Sequence, residues 1–282
     1  MFEQITILGA GLLGASIAMT ARRHSLTNRI VVWSRSLDTR AQCTEADWCD
    51  RVENSPLDAV KGSGLTIICT PVQTIVPLLE EIAPALLNGS IVTDVGSTKK
   101  NICKGAEALV QEDFTFIGSH PMAGSEQSGM ASANCELLQS AACILTPTPG
   151  TSAEHISRLE SFWQALGMLT HILTPEQHDV AVAHISHLPH LLSTSLCNAL
   201  NKKPLSWREL AGGGLRDTSR IAAGDPTLWR QILIENREAL LDSLDGLENE
   251  LADFRRILSE NDEDALYSTL ASGKAYREGL RS

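Results

Sequence analysis

Three glycines, and a small set of histidines, serines and arginines, are the residues of this chain whose spacing can do chemistry. Gly9-Ala-Gly11-Leu12-Leu13-Gly14 follows the apolar run Ile5–Leu8 and opens an apolar helix. In that setting Gly9 permits a tight turn and Gly11 lets backbone approach a pyrophosphate. Gly14 lets helix and strand pack closely, and the amides at the helix start receive phosphate oxygens. A dinucleotide site is the expectation. At the end of the second predicted strand, where NAD enzymes usually carry an acid for the ribose 2′-hydroxyl, stand Ser34, Arg35 and Ser36, with no acid before Asp38. Donors and a cation suit a 2′-phosphate, so NADP is favoured over NAD. Cys69-Thr70-Pro71 leaves the strand expected beside the nicotinamide half.

Further polar segments follow strand or helix signals. They are Asp94-Val-Gly-Ser97-Thr-Lys99, Gly118-Ser-His120-Pro-Met-Ala-Gly124-Ser-Glu126, Ser186-His187-Leu-Pro-His190 and Gly212-Gly-Gly-Leu-Arg216-Asp217-Thr-Ser-Arg220. A neutral imidazole near pH 7 can take a proton, and a guanidinium offers a planar pair of donors to a carboxylate. His120, between Ser119 and Pro121, reads as a loop residue. His184, His187 and His190 recur every three residues on one helix, but no His-Glu-x-x-His pattern or carboxylate cluster accompanies them. No metal is expected.

The elements that must position these groups are legible as patterns. Short apolar runs at Ile5–Leu8, Arg29–Trp33, Leu65–Cys69, Ile91–Val95, Thr115–Ile117 and Ala142–Leu145 alternate with helix-length stretches. They predict an α/β Rossmann-type, doubly wound, mostly parallel sheet over residues 1–173. Thr174-Pro175-Glu176-Gln177 is a helix start with a capping box, and Asp225-Pro226 starts another helix. Residues 174–282 are therefore read as an all-helical domain for substrate binding and dimerisation. Leu240, Leu244, Leu247, Leu251, Phe254 and Leu258 alternate in steps of four and three, a coiled-coil-type seam suited to a homodimer.

Bulk properties narrow the partners. The 282 residues carry a formal net charge of −11, which disfavours sequence-independent binding to nucleic acid or acidic membranes. Seven cysteines without a Cys-x-x-Cys pair fit neither a disulfide framework nor a zinc site. The uncharged stretch from Ile5 to Ala21 lacks a basic leader and is short for a span, so a cytoplasmic protein is expected.

Together the four polar segments and the glycine turn resemble the prephenate and arogenate dehydrogenases of tyrosine biosynthesis, over essentially the whole chain. The resemblance implies oxidative decarboxylation of a cyclohexadienol, with hydride passing to a nicotinamide and aromatisation driving loss of carbon dioxide. It assigns the proton acceptor to His120 and a bridge between hydroxyl and nicotinamide to Ser97. It assigns substrate-carboxylate binding to Arg220, and further substrate contacts to His187 and Ser186. Glu126 and Asp217 match positions that pair with the arginine and gate the site, with Lys99 and Arg216 as additional cations. His178 and His190 are read as structural. Prephenate is favoured over arogenate, with dual specificity as an alternative and a non-catalytic nicotinamide-binding redox sensor as a more distant one. A β-hydroxyacid dehydrogenase is expected to place a lysine on the helix from Thr174; none occurs there before Lys202. No separate regulatory domain is expected after the helical region.

Overall fold

The computed structural model describes residues 2–110, 114–124 and 129–280. Six strands form one parallel sheet: β1 (Phe2–Leu8), β2 (Thr27–Trp33), β3 (Arg51–Val52), β4 (Leu65–Ile68), β5 (Ser90–Asp94) and β6 (Phe114–Phe116), in the order β3-β2-β1-β4-β5-β6. Side chains alternate faces along a strand. Ile5 and Ile7, Ile30 and Val32, and Leu65 and Ile67 therefore feed one buried cluster, while Leu8, Val31 and Ile68 feed another on the opposite face. Helices cover both, as a parallel sheet requires.

The chain runs from β1 outward to β3, then returns to β4 on the other side of β1, so the order reverses between β1 and β4. In open sheets of this kind ligands bind at the carboxyl edge of that switch point. Three strand ends are tied together there. The Gly9 amide donates to the Trp33 carbonyl at 2.8 Å, and the Cys69 amide donates to the Leu8 carbonyl at 2.8 Å.

A second sheet of three strands comprises β7 (Gly118–Pro121), β8 (Ala142–Thr146) and β9 (Leu169–Ile172), with β7 antiparallel to β8 and β9 parallel to it. His120 lies in edge strand β7, paired with Ile144, and not in a loop. The short Gly-Ser-His-Pro segment has little strand propensity, but an edge strand tolerates a terminal proline. Gly118 is required for space: a Cβ there would lie 2.4 Å from Thr146 Oγ1.

Helix Pro175–Val182 opens with Thr174 and Gln177 in a reciprocal capping box. A π-turn at Ala183–His187 then joins it to helix Leu188–Leu200. Such turns often mark functional positions. Packing groups residues Met1–Asn236 as one compact unit and Arg237–Ser282 as another. The second unit is a pair of helices, Arg237–Glu260 and Glu263–Gly279. On the first of these, Leu240, Ser243 and Ile257 are buried, whereas Leu241, Leu251 and Leu258 are exposed. Along the predicted seam, Leu240 is buried and Leu251 and Leu258 are exposed. No helix among the described residues is long and apolar enough to cross a membrane.

Candidate active site

The glycine turn has the geometry its spacing predicts. Gly9 adopts φ +103°, and a Cβ there would press within 2.7 Å of the Cys69 carbonyl. A Cβ on Gly14 would lie 2.1 Å from the Gly9 carbonyl. Beside Gly11 the same atom meets nothing within 4 Å. Gly11 is the N-cap of helix Leu12–Arg23, and no side chain caps that end. The first-turn amides, including those of Leu12 and Leu13, therefore have no capping side chain at the positive end of the helix dipole. These features fit a dinucleotide pyrophosphate. Thr70 adds a buried hydroxyl without a partner, at the mouth of β4 and next to Pro71, the N-cap of helix Val72–Ile82.

At the end of β2, Arg35 and Ser36 are exposed, and Ser34 is buried. The Ser36 hydroxyl accepts the Thr39 amide and so caps helix Leu37–Thr44. Arg40, which the sequence reading missed, donates through Nη1 to the Ser34 carbonyl at 2.5 Å. A second guanidinium is thus held at the end of β2. A cation one helical turn beyond a strand end was the available signal.

The buried chemistry lies beyond β5. Asp94 is fully buried; its Oδ2 accepts from Lys99 Nζ at 2.6 Å and from the Gly96 amide at 2.8 Å, and its Oδ1 accepts from the Ser119 amide. Lys99 was expected to meet an anionic ligand. It is instead fully buried, donating to Asp94 and to the Thr98 carbonyl at 2.9 Å, because a buried ammonium must be paired. Ser97 follows on the half-exposed side of this loop. The Ser119 hydroxyl contacts Thr93 Oγ1 at 2.7 Å and accepts from the buried Trp163 indole at 3.1 Å, fixing β7 next to β5.

His120 is buried. Its Nδ1 lies 2.9 Å from His178 Nε2, and His178 Nδ1 lies 2.8 Å from Asp179 Oδ1. Asp179 also accepts the Lys99 amide at 2.7 Å and the Lys100 amide at 3.0 Å. Burial, together with the positive charge that His178, Lys99 and His187 can carry, holds His120 well below the usual imidazole range. Burial also lowers His178, despite the opposing hydrogen bond to Asp179. For Asp179, burial pushes the carboxyl upward, but the hydrogen bonds from His178, Lys100 and Lys99 outweigh it, and its pKa falls. A chain of two neutral imidazoles ending on a carboxylate results.

His187, on the π-turn, is buried, and burial lowers its pKa to about 4. Its Nδ1 is 3.1 Å from the Asn236 amide nitrogen, which also donates to the Asp179 carbonyl at 2.7 Å. His187 Nε2 is buried without a hydrogen-bond partner. Trp229 stacks on His190 at 3.5 Å and meets His187 edge-on, and Gly224 leaves the room for that indole. His184 is exposed and Ser186 half-exposed. Among the described residues no group of three His, Cys, Asp or Glu side chains could hold a metal ion.

Arg216 and Asp217 lie on the exposed helix Gly213–Ser219, and Arg220 opens the turn Arg220–Ala223. Ser193 Oγ donates to the Thr218 carbonyl and ties this segment to helix Leu188–Leu200. Glu126 lies outside the described residues. Sequence reasoning missed Asp179, Asn236 and Trp229. Asp179 directly follows a histidine inside the first turns of a capped helix, which was the one available hint.

Residues 17–172 match the family described as "Prephenate dehydrogenase, nucleotide-binding domain", and residues 174–272 match "Prephenate dehydrogenase, dimerization domain". The chain is 33% identical to the prephenate dehydrogenase of Bacillus subtilis, over 99% of this chain and 76% of that protein. It is 29% identical to the cyclohexadienyl dehydrogenase of Zymomonas mobilis, over 100% and 97%. Among solved structures, a prephenate dehydrogenase from Aquifex aeolicus in complex with hydroxyphenyl propionate and NAD+ is similar with a TM-score of 0.92 at 26% identity, covering 100% and 99% of the two chains. The arogenate dehydrogenase of Synechocystis gives 0.85 at 33% identity, covering 98% and 99%.

Proposed function

The chain belongs to the prephenate dehydrogenase family and is a nicotinamide-dependent dehydrogenase, and on that premise we propose how it handles its substrate. The reaction is the oxidative decarboxylation of prephenate to 4-hydroxyphenylpyruvate. The observation that carries this reading is the buried, neutral His120 at the carboxyl edge of the sheet, backed by His178 and Asp179.

A bound nicotinamide would supply the hydride acceptor for the ring carbon bearing the hydroxyl. His120 receives the proton of that hydroxyl, so that a carbonyl forms as the hydride leaves. Loss of the ring carboxylate as carbon dioxide returns its bonding electrons to the ring, which becomes aromatic as the carbonyl oxygen takes the proton back from His120 and His120 is neutral again. Ser97 hydrogen-bonds the same hydroxyl from the loop after β5. His187 Nε2, buried and in need of a partner, donates to the substrate, with Ser186 beside it. Arg220 binds a carboxylate, and Arg216, Asp217 and Glu126 complete the rim.

The cofactor reading is NADP in preference to NAD, supported by two guanidiniums, Arg35 and Arg40, and by the lack of an acid at the end of β2. Residues 174–282 form the substrate and dimerisation domain, with the exposed Leu241, Leu251 and Leu258 as the apolar contact of a homodimer. The second substrate reading is arogenate, favoured by the likeness to the Synechocystis enzyme. Purified protein is mixed with each pairing of NADP or NAD with prephenate or arogenate, and reduced cofactor is followed by absorbance. Faster turnover with prephenate and NADP is expected; absence of turnover in all four removes the assignment.

A further inference from the structure

Two histidines in the site are held by different partners, and both sets of partners lead to Asp179. Asp179 is a carboxylate that only accepts, and it already takes the Lys99 and Lys100 amides. The His178 nitrogen facing it, Nδ1, must therefore carry the proton. A neutral imidazole has one donor and one acceptor, so His178 Nε2 is the acceptor, and His120 Nδ1 must donate to it. That leaves the lone pair of His120 on Nε2.

The second assignment runs through the Asn236 amide. Its orientation is fixed because the Asp179 carbonyl can only accept, so the NH₂ group, not the oxygen, faces it at 2.7 Å. The same NH₂ lies 3.1 Å from His187 Nδ1, which therefore accepts. His187 then carries its proton on Nε2, the atom that is buried without a partner.

We propose that Asp179 sets both histidines in opposite tautomers before substrate arrives. Its side chain, through His178, makes His120 an Nε2 acceptor, and its carbonyl, through Asn236, makes His187 an Nε2–H donor. His178, Asp179 and Asn236 are positioning residues in this scheme, and it rests on the reading of His120 and His187 given above. The charged groups around His120 are Lys99, paired with Asp94, and the Asp179 carboxylate. Burial holds all three imidazoles neutral at neutral pH, which the scheme requires.

The test is a long-range proton–nitrogen correlation spectrum of ligand-free protein labelled with nitrogen-15 in its histidines, at neutral pH. Signals are assigned with His120→Asn and His187→Asn. The expected result is His120 protonated at Nδ1 and His187 at Nε2. A His120 signal protonated at Nε2, a His187 signal protonated at Nδ1, or a charged ring at either position overturns the proposal. Kinetics give a second reading. His178→Ala should lower kcat by roughly 10²-fold with little change in substrate KM, as expected when a general base is presented in the wrong tautomer. His178→Gln, whose amide oxygen can still accept the His120 proton, should restore part of that loss. Asn236→Leu should raise substrate KM more than it lowers kcat. A normal kcat in His178→Ala, or no recovery in His178→Gln, also overturns the proposal. If a variant does not fold, the spectrum of the unmutated protein still decides. If the unmutated protein turns over none of the four pairings while the tautomers are as expected, the functional reading fails and the positioning scheme stands.

Discussion

The region around His120 and the segment from Gly212 to Ala223 solve opposite problems. In the first, Asp94, Lys99, His178 and Asp179 are buried and each is bonded to another group of the chain. In the second, Arg216, Asp217 and Arg220 are exposed on a short helix and a tight turn. Burial strengthens electrostatic interactions and shifts proton affinities, so it suits proton transfer. Exposure leaves an arginine close to its ordinary solvation, so it suits capture of an anion from water. Under the proposed function, the protonation chemistry is preset by the fold, whereas recognition of the anion falls to a surface segment.

The sharpest way to break this contrast is at His120. His120→Asn keeps a polar side chain on β7 but removes the proton acceptor. It should lower kcat by roughly 10²–10⁴-fold, with substrate KM changed by only a few fold. Steady-state kinetics with prephenate check this, and a near-normal kcat would remove His120 from the chemistry.

The buried side of the comparison also predicts a pH dependence. Above about pH 6.5, His187 is neutral in both the folded and unfolded chain. Between that and its folded value of about 4, the unfolded chain binds the extra proton, so stability falls as pH drops. From neutrality to about pH 5 this one residue should cost about 2 kcal/mol. Urea unfolding of the wild type and of His187→Gln at both pH values tests it. The variant should lose less stability on acidification, and equal losses would show that His187 is not held neutral by the fold. His120 and His178, also lowered, add to the same trend. For the same reason kcat/KM should hold to a pH below the ordinary imidazole range.

On the exposed side, Arg220→Ala should raise substrate KM by roughly 10–10²-fold, the worth of a charge-assisted pair of hydrogen bonds. Cofactor affinity, measured by titration of protein fluorescence with NADPH, should stay nearly unchanged. Equal losses for substrate and cofactor would mean that the segment supports the fold and not recognition alone.

The two regions were unequally legible in the sequence. The sheet announced itself through short apolar runs set between helix-length stretches, and the glycine turn through spacing that backbone sterics enforce: Gly9 and Gly14 cannot carry a Cβ where they sit. The capping box at Thr174 was likewise readable, because its hydrogen bonds are local. The β7 strand was not, since Gly-Ser-His-Pro forms a strand only because Ser119 is pinned by Thr93, Asp94 and Trp163 from elsewhere in the chain. Lys99 was misread for the same reason, as its partner Asp94 captures it only when the loop folds back. The links from Asp179 to Lys99, and from Asn236 to His187, span 80 and 49 residues, and no local pattern records them.

At the cofactor end, the NADP reading gives two cations one task and predicts that they share it unequally. Arg35 is exposed, whereas Arg40 is partly buried and already donates to the Ser34 carbonyl. A guanidinium committed to the backbone has fewer donors to offer, so Arg35 should carry more of the discrimination for a 2′-phosphate. Arg35→Asp places a carboxylate where a 2′-hydroxyl can donate to it and where a 2′-phosphate is repelled. The ratio of kcat/KM for NADP over NAD should fall by roughly 10-fold, an effect of the size of one charge-assisted hydrogen bond. Arg40→Ala should move that ratio less, while weakening the turn after β2 through the lost bond to Ser34. If Arg40→Ala shifts the ratio more than Arg35→Asp does, the anchored cation is the one that reads the phosphate, and prior hydrogen bonding positions it instead of using it up.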